Sequence, residues 1–217
     1  MLTKEQKLTL KEVFKSPIAN FATWGGGTAL SEVYLHHRKS EDIDIILVDL
    51  PPNETLTILS NKISKTVGAK NKTSFTKMNR FQYVFVLENN GQLKLEFVYY
   101  PFPKIDNNTE ILGFKVESLL DIAISKTLSA YQRDEVKDAF DLFVILQDKK
   151  FSLEKLVSGV EKKFEEKIDP AILLARLTRN LENFDNLKPL LTKKYSKKII
   201  IDFFQSLFNG YLKNQIY

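Results

Sequence analysis

The sequence predicts an α/β (α+β) fold in which a small mixed-sheet lobe is followed by a helical C-terminal lobe. Short apolar segments of strand length alternate with segments of helical periodicity in the first half of the chain. Asn89-Asn90-Gly91 separates two strand-like segments and is typical of a β-hairpin, because Asn and Gly tolerate positive φ. From about Glu117 helical periodicity dominates. We therefore expect two lobes, residues 1–115 and residues 116–217.

Each element follows from a local pattern. Helices are predicted at residues 4–14, 29–35 and 54–67, and strands at residues 21–24, 42–48, 81–88 and 93–99. Thr28 is placed to cap the second helix through its hydroxyl, and Pro101 and Pro103 are expected to end the sheet. In the second lobe, helix breaks are predicted near residues 148–151, at Asp169-Pro170 and at Lys188-Pro189.

The composition limits the classes of function. The absence of cysteine excludes disulfides and thiolate metal sites and fits the cytoplasm. No apolar run approaches the roughly 18 residues of a membrane span, so we expect no membrane partner, and the first residues lack the apolar core of a signal peptide. A net charge of +5 favours polyanionic partners such as nucleotides or nucleic acid, although an A·T-rich genome can also give a composition rich in lysine and asparagine.

A glycine turn, Gly25-Gly26-Gly27-Thr28, joins a predicted strand to a predicted helix. Phosphate oxygens can approach such a turn because no side chains intervene, and the N-terminus of the helix favours their charge. Consecutive glycines also occur in loops without a ligand. The turn is not a P-loop, because no Gly-Lys-Ser/Thr follows it.

A pair of acids, Asp42 and Asp44, begins the next predicted strand. Residues two apart on a strand point to the same face, about 6.6 Å apart, which suits shared divalent cations. The alternative is that both are exposed strand-end residues, or that Asp42 pairs with Arg38 or Lys39. Because the acids precede the apolar run, the order disfavours a phosphatase with an Asp-x-Asp nucleophile.

A third metal-binding acid is predicted at Glu96, which shares a strand face with Lys94 and Val98. Glu88 is the alternative, and Glu96 could instead lie on a solvated face and pair with Lys94 or another base. Further along, Lys126, Ala130, Arg133, Lys137 and Asp141 would form one stripe of a continuous helix and could hold phosphates. The alternative is a solvated helix with a Lys137–Asp141 pair. His36 and His37, in a predicted loop, are assigned no chemistry.

Two of these motifs are Trp24-Gly-Gly-Gly-Thr-Ala-Leu30 and His37-Arg-Lys-Ser-Glu-Asp42-Ile-Asp44. Together they resemble the nucleotidyltransferases of the DNA polymerase β superfamily, and more narrowly the AbiEii-type toxins of abortive-infection and type IV toxin–antitoxin systems. The pattern Lys126…Ala130…Arg133…Lys137-Asp138-Ala-Phe-Asp141-Leu142 is similar to the downstream motif of that family. The resemblance spans residues 24–142.

The resemblance implies transfer of NMP from an NTP to a hydroxyl of RNA, such as tRNA, or of a protein, and a co-expressed antitoxin as partner. It implies a nucleotidyltransferase lobe and a helical lobe that completes the active site. It implies that Asp42 and Asp44 bind Mg²⁺ or Mn²⁺ and that Gly26, Gly27 and Thr28 bind the triphosphate. It also implies that Lys126 neutralises phosphate charge and that Asp141 lies near the transfer centre, with the role of a base as one option. Arg133 is expected to bind the nucleotide because it belongs to the predicted stripe of basic side chains. The alternative is a non-catalytic nucleotide- or RNA-binding module, which the paired aspartates disfavour.

Overall fold

A computed structural model of the protein describes residues 2–148 and 151–216. These residues form two compact units. Unit 1 comprises Met1–Tyr34, Lys39–Phe102 and Asn107–Ser118, and unit 2 comprises Leu35–Arg38, Pro103–Asp106 and Leu119–Tyr217. Two short segments of the N-terminal half thus belong to the second unit. The predicted division into residues 1–115 and 116–217 does not include this exchange.

Unit 1 is built on a sheet that has seven strands within the described residues, in the order β3-β4-β5-β2-β1-β7-β6. The strands are β1 (Ala22–Gly25), β2 (Asp42–Leu47), β3 (Ala69–Lys77), β4 (Arg80–Leu87), β5 (Gln92–Tyr99), β6 (Thr109–Ile111) and β7 (Phe114–Val116). The helices are α1 (Lys4–Phe14), α2 (Gly26–Ala29) and α3 (Asn53–Thr66), and a π-helical segment, Leu30–Leu35, continues α2 into unit 2. Strands β2 and β5 run parallel and most other neighbours run antiparallel, which confirms the predicted mixed sheet.

Local sequence accounts for most of these boundaries. Thr3 and Gln6 form a reciprocal capping box, so α1 begins at Lys4 as predicted. In β2 the isoleucines at 43 and 45 are fully buried, while Asp42 and Asp44 alternate with them on the opposite, half-buried face. The alternation that predicts a shared face for the two acids is therefore confirmed.

Three strands were not predicted. β3 is mostly polar and exposed because it lies at the edge of the sheet, and its composition therefore lacks the apolar alternation of a half-buried strand. β6 and β7 have three residues each, too few for a periodic pattern. The expectation that Pro101 and Pro103 end the sheet is wrong, because β7 returns to pair in parallel with β1 through Trp24 and Val116.

Unit 2 is helical. Its helices are α4 (Leu119–Gln132), α5 (Val136–Gln147), α6 (Leu153–Phe164), α7 (Pro170–Asn180), α8 (Phe184–Leu187) and α9 (Lys197–Ile216). The predicted break at Asp169-Pro170 is confirmed, because Asp169 caps α7 and Pro170 is its first residue. The break predicted near residues 148–151 lies partly outside the described residues. No helix within the described residues is long and apolar enough to cross a membrane.

The continuous polar stripe predicted for residues 126–141 is wrong. The chain leaves helical geometry between Gln132 and Val136, so Lys126 lies on α4 and Asp141 on α5. The two helices pack on each other instead of forming one rod. Spacing along a single helix therefore does not describe how these side chains meet.

Buried polar groups hold the two short segments within unit 2. Asp121 on α4 accepts the backbone N–H groups of Ile105 at 3.0 Å and Asp106 at 2.9 Å, and Lys163 lies 2.8 Å from the same carboxylate. In the other segment, the His37 carbonyl accepts the N–H of Thr192 at 3.2 Å. Because residues 36–38 and 103–106 form no helix or extended strand of their own, such contacts decide their position.

Candidate active site

The glycine turn and the aspartate strand meet in the sheet of unit 1. Gly25 ends β1 and pairs with Asp44 in the antiparallel β1–β2 ladder, and α2 begins at the next residue. Gly26 has a φ of +69°, and a Cβ placed on it would lie 1.9 Å from Oδ2 of Asp44. The Asp44 carboxylate therefore lies directly against the backbone of the turn. Two motifs that are 18 residues apart in sequence, from Gly26 to Asp44, form one local arrangement.

Thr28 has a different local role from the predicted one. The helix begins at Gly26 and its N-cap is the extended residue Gly25, so Thr28 is already inside the helix and the prediction that it is the cap is wrong. Its side chain is fully buried and donates its hydroxyl to the backbone carbonyl of Asp42. Thr28 thus ties α2 to the first residue of β2. Its predicted contact with phosphate could use only its backbone N–H, which belongs to the first turn, where helix geometry supplies no acceptor.

Asp42 is half-buried, with a side chain that is 41% exposed. Its Oδ1 lies 3.7 Å from Nζ of Lys94, so a cation of β5 is its neighbour. Arg38 is bound elsewhere, to Asp141. A contact of Asp42 with a cation of β5 is therefore what the structure shows, and the exposure of Asp42 is compatible with the alternative of a strand-end residue.

Sheet register places Glu96 beside Asp44. The parallel β2–β5 ladder pairs Asp44 with Glu96, and directly opposed residues project from the same face. The Glu96 carboxylate accepts a hydrogen bond from Nη1 of Arg80 at 2.7 Å, so its partner is a base other than Lys94, which the alternative explanation of Glu96 also allows. Glu88 is exposed at the β4–β5 hairpin, beyond the end of β4. Between the two predicted third acids, the register thus favours Glu96.

The aspartate pair fits a divalent cation by its chemistry. Carboxylate oxygens are the ligands that Mg²⁺ prefers, and Mg²⁺ is usually held by one or two carboxylates together with substrate phosphates and water. Within residues 2–148 and 151–216, no cluster of three or more His, Asp or Glu side chains could hold a metal by itself. The two aspartates could therefore serve as ligands of a divalent cation only together with ligands from outside the described residues.

Glu117 is an acid that the sequence reasoning missed. Its N–H donates to the Trp24 carbonyl at 2.9 Å, and its Oε2 lies 2.7 Å from where a Cβ on Gly25 would be. Glu117 comes directly after β7, so it could be found only by predicting that this three-residue strand pairs with β1. Glu117 and Asp44 thus lie so close to Gly25 and Gly26, respectively, that neither glycine has room for a side chain.

In unit 2, Asp141 is the centre of a buried ionic network. Its Oδ1 lies 2.7 Å from Nε2 of His37 and 2.7 Å from Nε of Arg38, and its Oδ2 lies 2.8 Å from both Nη2 of Arg38 and Nζ of Lys126. All four residues are buried, and Asp141 is fully so. The predicted Lys137–Asp141 pair is therefore wrong. His37, which was assigned no chemistry, is a direct partner of Asp141.

Asp138 extends the network. Its Oδ1 lies 2.7 Å from Nζ of Lys126, and its Oδ2 lies 2.7 Å from Nε of Arg133, whose side chain is 52% exposed. Lys126 is thus shared between two buried aspartates. Both cations that were predicted to bind phosphate are paired with carboxylates in this structure.

The network shifts the ionisation of its members. Burial alone would raise the pKa of the Asp141 carboxyl, but Arg38 and Lys126 outweigh burial and hold this pKa well below its ordinary value. Burial likewise raises the pKa of Asp138, and Lys126 and Arg133 bring it below its ordinary value. Burial would lower the pKa of Lys126, yet Asp141 and Asp138 raise it above its ordinary value. All three groups are therefore charged at neutral pH.

This network predicts how the free energy of unfolding depends on pH. Because their folded pKa values are lowered, Asp138 and Asp141 contribute stability that is fully present above the unfolded carboxyl pKa of about 3.9, and it is lost as pH falls through the folded values. The contribution of Lys126 is fully present below the unfolded pKa of about 10.4 and is lost as pH rises through its raised folded value. Urea unfolding across the pH range should show both losses.

The control for this prediction is an exposed aspartate of the same unit. In Asp141→Asn the loss of stability in acid should become smaller, whereas Asp134→Asn, which alters a half-exposed pair with Arg179, should leave it unchanged. An acid profile of Asp141→Asn that superimposes on that of the wild-type protein would contradict the prediction.

Comparison with known proteins defines the family. A family model described as nucleotidyl transferase AbiEii toxin, type IV TA system, matches residues 10–209. The chain belongs to this family. The predicted membership of the AbiEii family is therefore confirmed, and the enzyme class is that of a nucleotidyltransferase.

Similar proteins cover nearly the whole AbiEii-family chain. The uncharacterized protein aq_aa25 of Aquifex aeolicus is 26% identical over 219 residues, which cover 98% of both chains. The crystal structure of JHP933 from Helicobacter pylori is 19% identical, with a TM-score of 0.58, and covers 98% of this chain and 92% of that one. A second H. pylori structure has the same TM-score of 0.58 at 18% identity and covers 98% of this chain and 95% of that one. These structures support the fold.

Proposed function

We propose that this AbiEii-family protein transfers a nucleoside monophosphate from an NTP to an acceptor hydroxyl and acts as the toxin of a type IV toxin–antitoxin or abortive-infection system. The observation that carries the proposal is the contact between the Asp44 carboxylate and the backbone of Gly26. A carboxylate that can hold a cation thus adjoins the start of a helix that can hold phosphate. Both groups are needed to bind a metal-complexed triphosphate.

In unit 1, different residues bind the metal and the triphosphate. Asp42 and Asp44 hold Mg²⁺ or Mn²⁺, and the first-turn backbone at Gly26, Gly27 and Thr28 binds the triphosphate. When bound, the metal stabilises the charge that develops on the transferred phosphate and on the leaving pyrophosphate. The Thr28 hydroxyl positions Asp42 by holding its backbone carbonyl. Glu96 is proposed as a third acid, which would require it to exchange Arg80 for the cation.

For Asp141 we propose a positioning role and not that of a base. Both of its oxygens already accept hydrogen bonds from cations or from His37, and its lowered pKa makes it a weak proton acceptor. It fixes Lys126, whose ammonium it shares with Asp138. Binding of phosphate by Lys126 or Arg133 remains part of the proposal, and either cation would have to share its charge between a carboxylate and the phosphate.

The acceptor is proposed to be a hydroxyl of RNA, such as tRNA, with a protein hydroxyl as the alternative. The net charge of +5 favours RNA. A non-catalytic binding module on the same fold is the second candidate function. It is less well supported, because binding alone does not require an aspartate against a glycine backbone.

The experiment compares label transfer from each of the four NTPs, labelled on the α-phosphate, to RNA and protein fractions of a host lysate. The wild-type protein with Mg²⁺ should transfer label and release pyrophosphate, and EDTA should stop it. The double variant Asp42→Asn/Asp44→Asn should lose transfer by about a thousandfold or more, because it removes the charge that holds the metal. Sensitivity of the labelled product to ribonuclease or protease identifies the acceptor.

The matched control is Asp49→Asn, the same change at an exposed residue just beyond β2. This variant should transfer label at the wild-type rate. Transfer that survives in the double variant would overturn the assignment of the metal to the two aspartates. An NTP that binds without transfer to any fraction would favour the binding module.

A further inference from the structure

One row of residues crosses five neighbouring strands of the unit 1 sheet, from the aspartate site to its free edge. Reading from β1 to β3, the paired residues are Gly25, Asp44, Glu96, Gln82 and Phe75. Directly paired residues share a face of a sheet, so all of these positions lie on one face. At about 4.8 Å per strand, Asp44 and Phe75 are about 14 Å apart along the row.

The opposite face is the one that the helices cover. It carries fully buried residues such as Ile45, Phe85 and Phe97, and Lys72 of β3 reaches from that face to Ser60 and Asn61 of α3. The face of the Asp44–Phe75 row is instead half-buried or exposed along β2, β4 and β5, with Val98 as a buried exception. A ligand can therefore lie along much of this row.

Lysine and arginine residues lie beside the Asp44–Phe75 row. Lys77 and Arg80 are paired with each other in the β3–β4 ladder, beside Phe75 and Gln82. On β5, Lys94 lies two residues before Glu96, on the same face, and is paired with Asp42 of β2. Between residues 69 and 80 the sequence contains Lys70, Lys72, Lys77 and Arg80 and no acid. The edge of the sheet is thus cationic, whereas its centre carries the acids of the proposed metal site.

Phe75 is the unusual member of this edge. Lysines on an edge strand are a common means of preventing association with other strands, and by themselves they need no ligand. An exposed phenylalanine on the same strand works against that protection, and Phe75 is 61% exposed. Aromatic rings beside cations are the combination with which proteins hold single-stranded nucleic acid, and here this combination lies in line with a carboxylate site.

We propose that Phe75, Lys77, Arg80 and Lys94 form an acceptor platform that binds the single-stranded end of an RNA. Phe75 stacks on a base, while Lys77 and Arg80 contact the backbone phosphates. The terminal hydroxyl then lies at Asp42 and Asp44, and the row of about 14 Å accommodates roughly four stacked nucleotides or fewer extended ones. The assignment rests on the proposed function, because it takes the aspartates as the point of transfer.

The test measures RNA binding without NTP or metal, so that it does not depend on catalysis. The probe is a short fluorescein-labelled single-stranded RNA, titrated in EDTA and followed by fluorescence anisotropy. Phe75→Ala should weaken binding about tenfold, because stacking on one base is lost, and Phe75→Trp should restore it. Lys77→Ala should weaken binding and reduce the slope of log affinity against log salt by about 0.7, the value for one phosphate contact to a single strand.

The controls make the same kinds of change on α3, which packs on the helix-covered face. Ile58→Ala truncates another exposed apolar side chain, and Lys65→Ala removes another exposed lysine. Both should bind RNA as the wild-type protein does. The proposal is overturned if the platform variants behave like these controls, if duplex RNA binds as tightly as single-stranded RNA, or if no RNA binds and a protein accepts the label.

Failure of this proposal can be told apart from failure of the proposed function. If the platform is wrong but the function is right, the platform variants bind RNA and transfer label as the wild-type protein does. If the function is wrong, label transfer is absent from the wild-type protein whatever its affinity for RNA. Urea midpoints of the variants should match that of the wild-type protein, since the side chains of Phe75 and Lys77 are exposed.

Discussion

Gly26→Ala should lose nucleotide transfer by about a hundredfold or more, the loss expected when a reacting group is displaced by about 1 Å. A Cβ at this position would lie 1.9 Å from Oδ2 of Asp44, and such a contact cannot exist. Either the aspartate or the turn must move, and the proposed site depends on both. The variant must also hold a residue other than glycine at a φ of +69°. Initial rates of label transfer and urea unfolding measure the two effects separately.

Two other glycines isolate the effect of the contact. Gly68 and Gly113 also have positive φ, of +65° and +75°, but a Cβ on either would meet nothing within 4 Å. Gly68→Ala and Gly113→Ala should therefore cost only the backbone penalty, about 1–2 kcal/mol of the free energy of unfolding, and leave the rate of transfer unchanged. If Gly26→Ala loses no more stability and no more activity than these two variants, the contact with Asp44 does not matter.

Asp141→Asn should reduce the free energy of unfolding by about 3–5 kcal/mol, the cost of removing one partner from a buried ionic cluster. The amide keeps the size of the side chain but leaves Arg38 and Lys126 buried beside a neutral group. Asp138 would still compensate Lys126 in part. Arg38 would lose both of its hydrogen bonds to a carboxylate, so we expect most of the loss to arise there. Urea unfolding at neutral pH measures it.

A surface pair and a double variant test the origin of this loss. Asp134→Asn removes a half-exposed partner of Arg179 and should cost about 0–1 kcal/mol. Combining Asp141→Asn with Arg38→Gln should recover part of the loss, because no guanidinium is then buried beside a neutral side chain. A loss in Asp141→Asn as small as in Asp134→Asn would contradict the buried-charge explanation. If Asp141 only positions its neighbours, the pH dependence of the transfer rate in Asp141→Asn should keep its shape.

The same variant separates positioning from base catalysis. Removal of a general base eliminates the limb of the pH–rate profile that the base produces. A positioning residue instead lowers the rate by a factor that is the same across that limb. The network geometry favours the second result, because both oxygens of Asp141 are occupied.

Short-range patterns in the sequence were sufficient for much of unit 1. Alternation along a strand placed Asp42 and Asp44 on one face, and the capping residues at positions 3 and 6 set the start of α1. The Asn-Asn-Gly turn set the β4–β5 hairpin, with Asn90 at a φ of +62°. These features depend on residues within a few positions of each other, so local geometry decides them.

Tertiary structure decided which of these residues meet. The contact of Gly26 with Asp44 requires the β1–β2 ladder, and the choice of Glu96 over Glu88 requires the register of β2 with β5. The role of Glu117 beside Gly25 depends on a strand too short to predict. In each case the residue types indicated a possible site, but the pairing of strands decides which of these residues are neighbours.

The buried ionic network of unit 2 shows most clearly what the sequence alone does not determine. Asp141 lies 104 positions from His37 and 103 from Arg38, and nothing in their spacing predicts that they touch. An aspartate within the apolar sequence Phe-Asp-Leu requires a partner, because an unpaired buried charge is too costly. The sequence by itself could therefore determine that Asp141 is paired or functional. Only the packing of α4, α5 and the segment at residues 35–38 could decide which side chains pair with Asp141. Long-range contacts of this kind depend on the whole fold and not on local spacing.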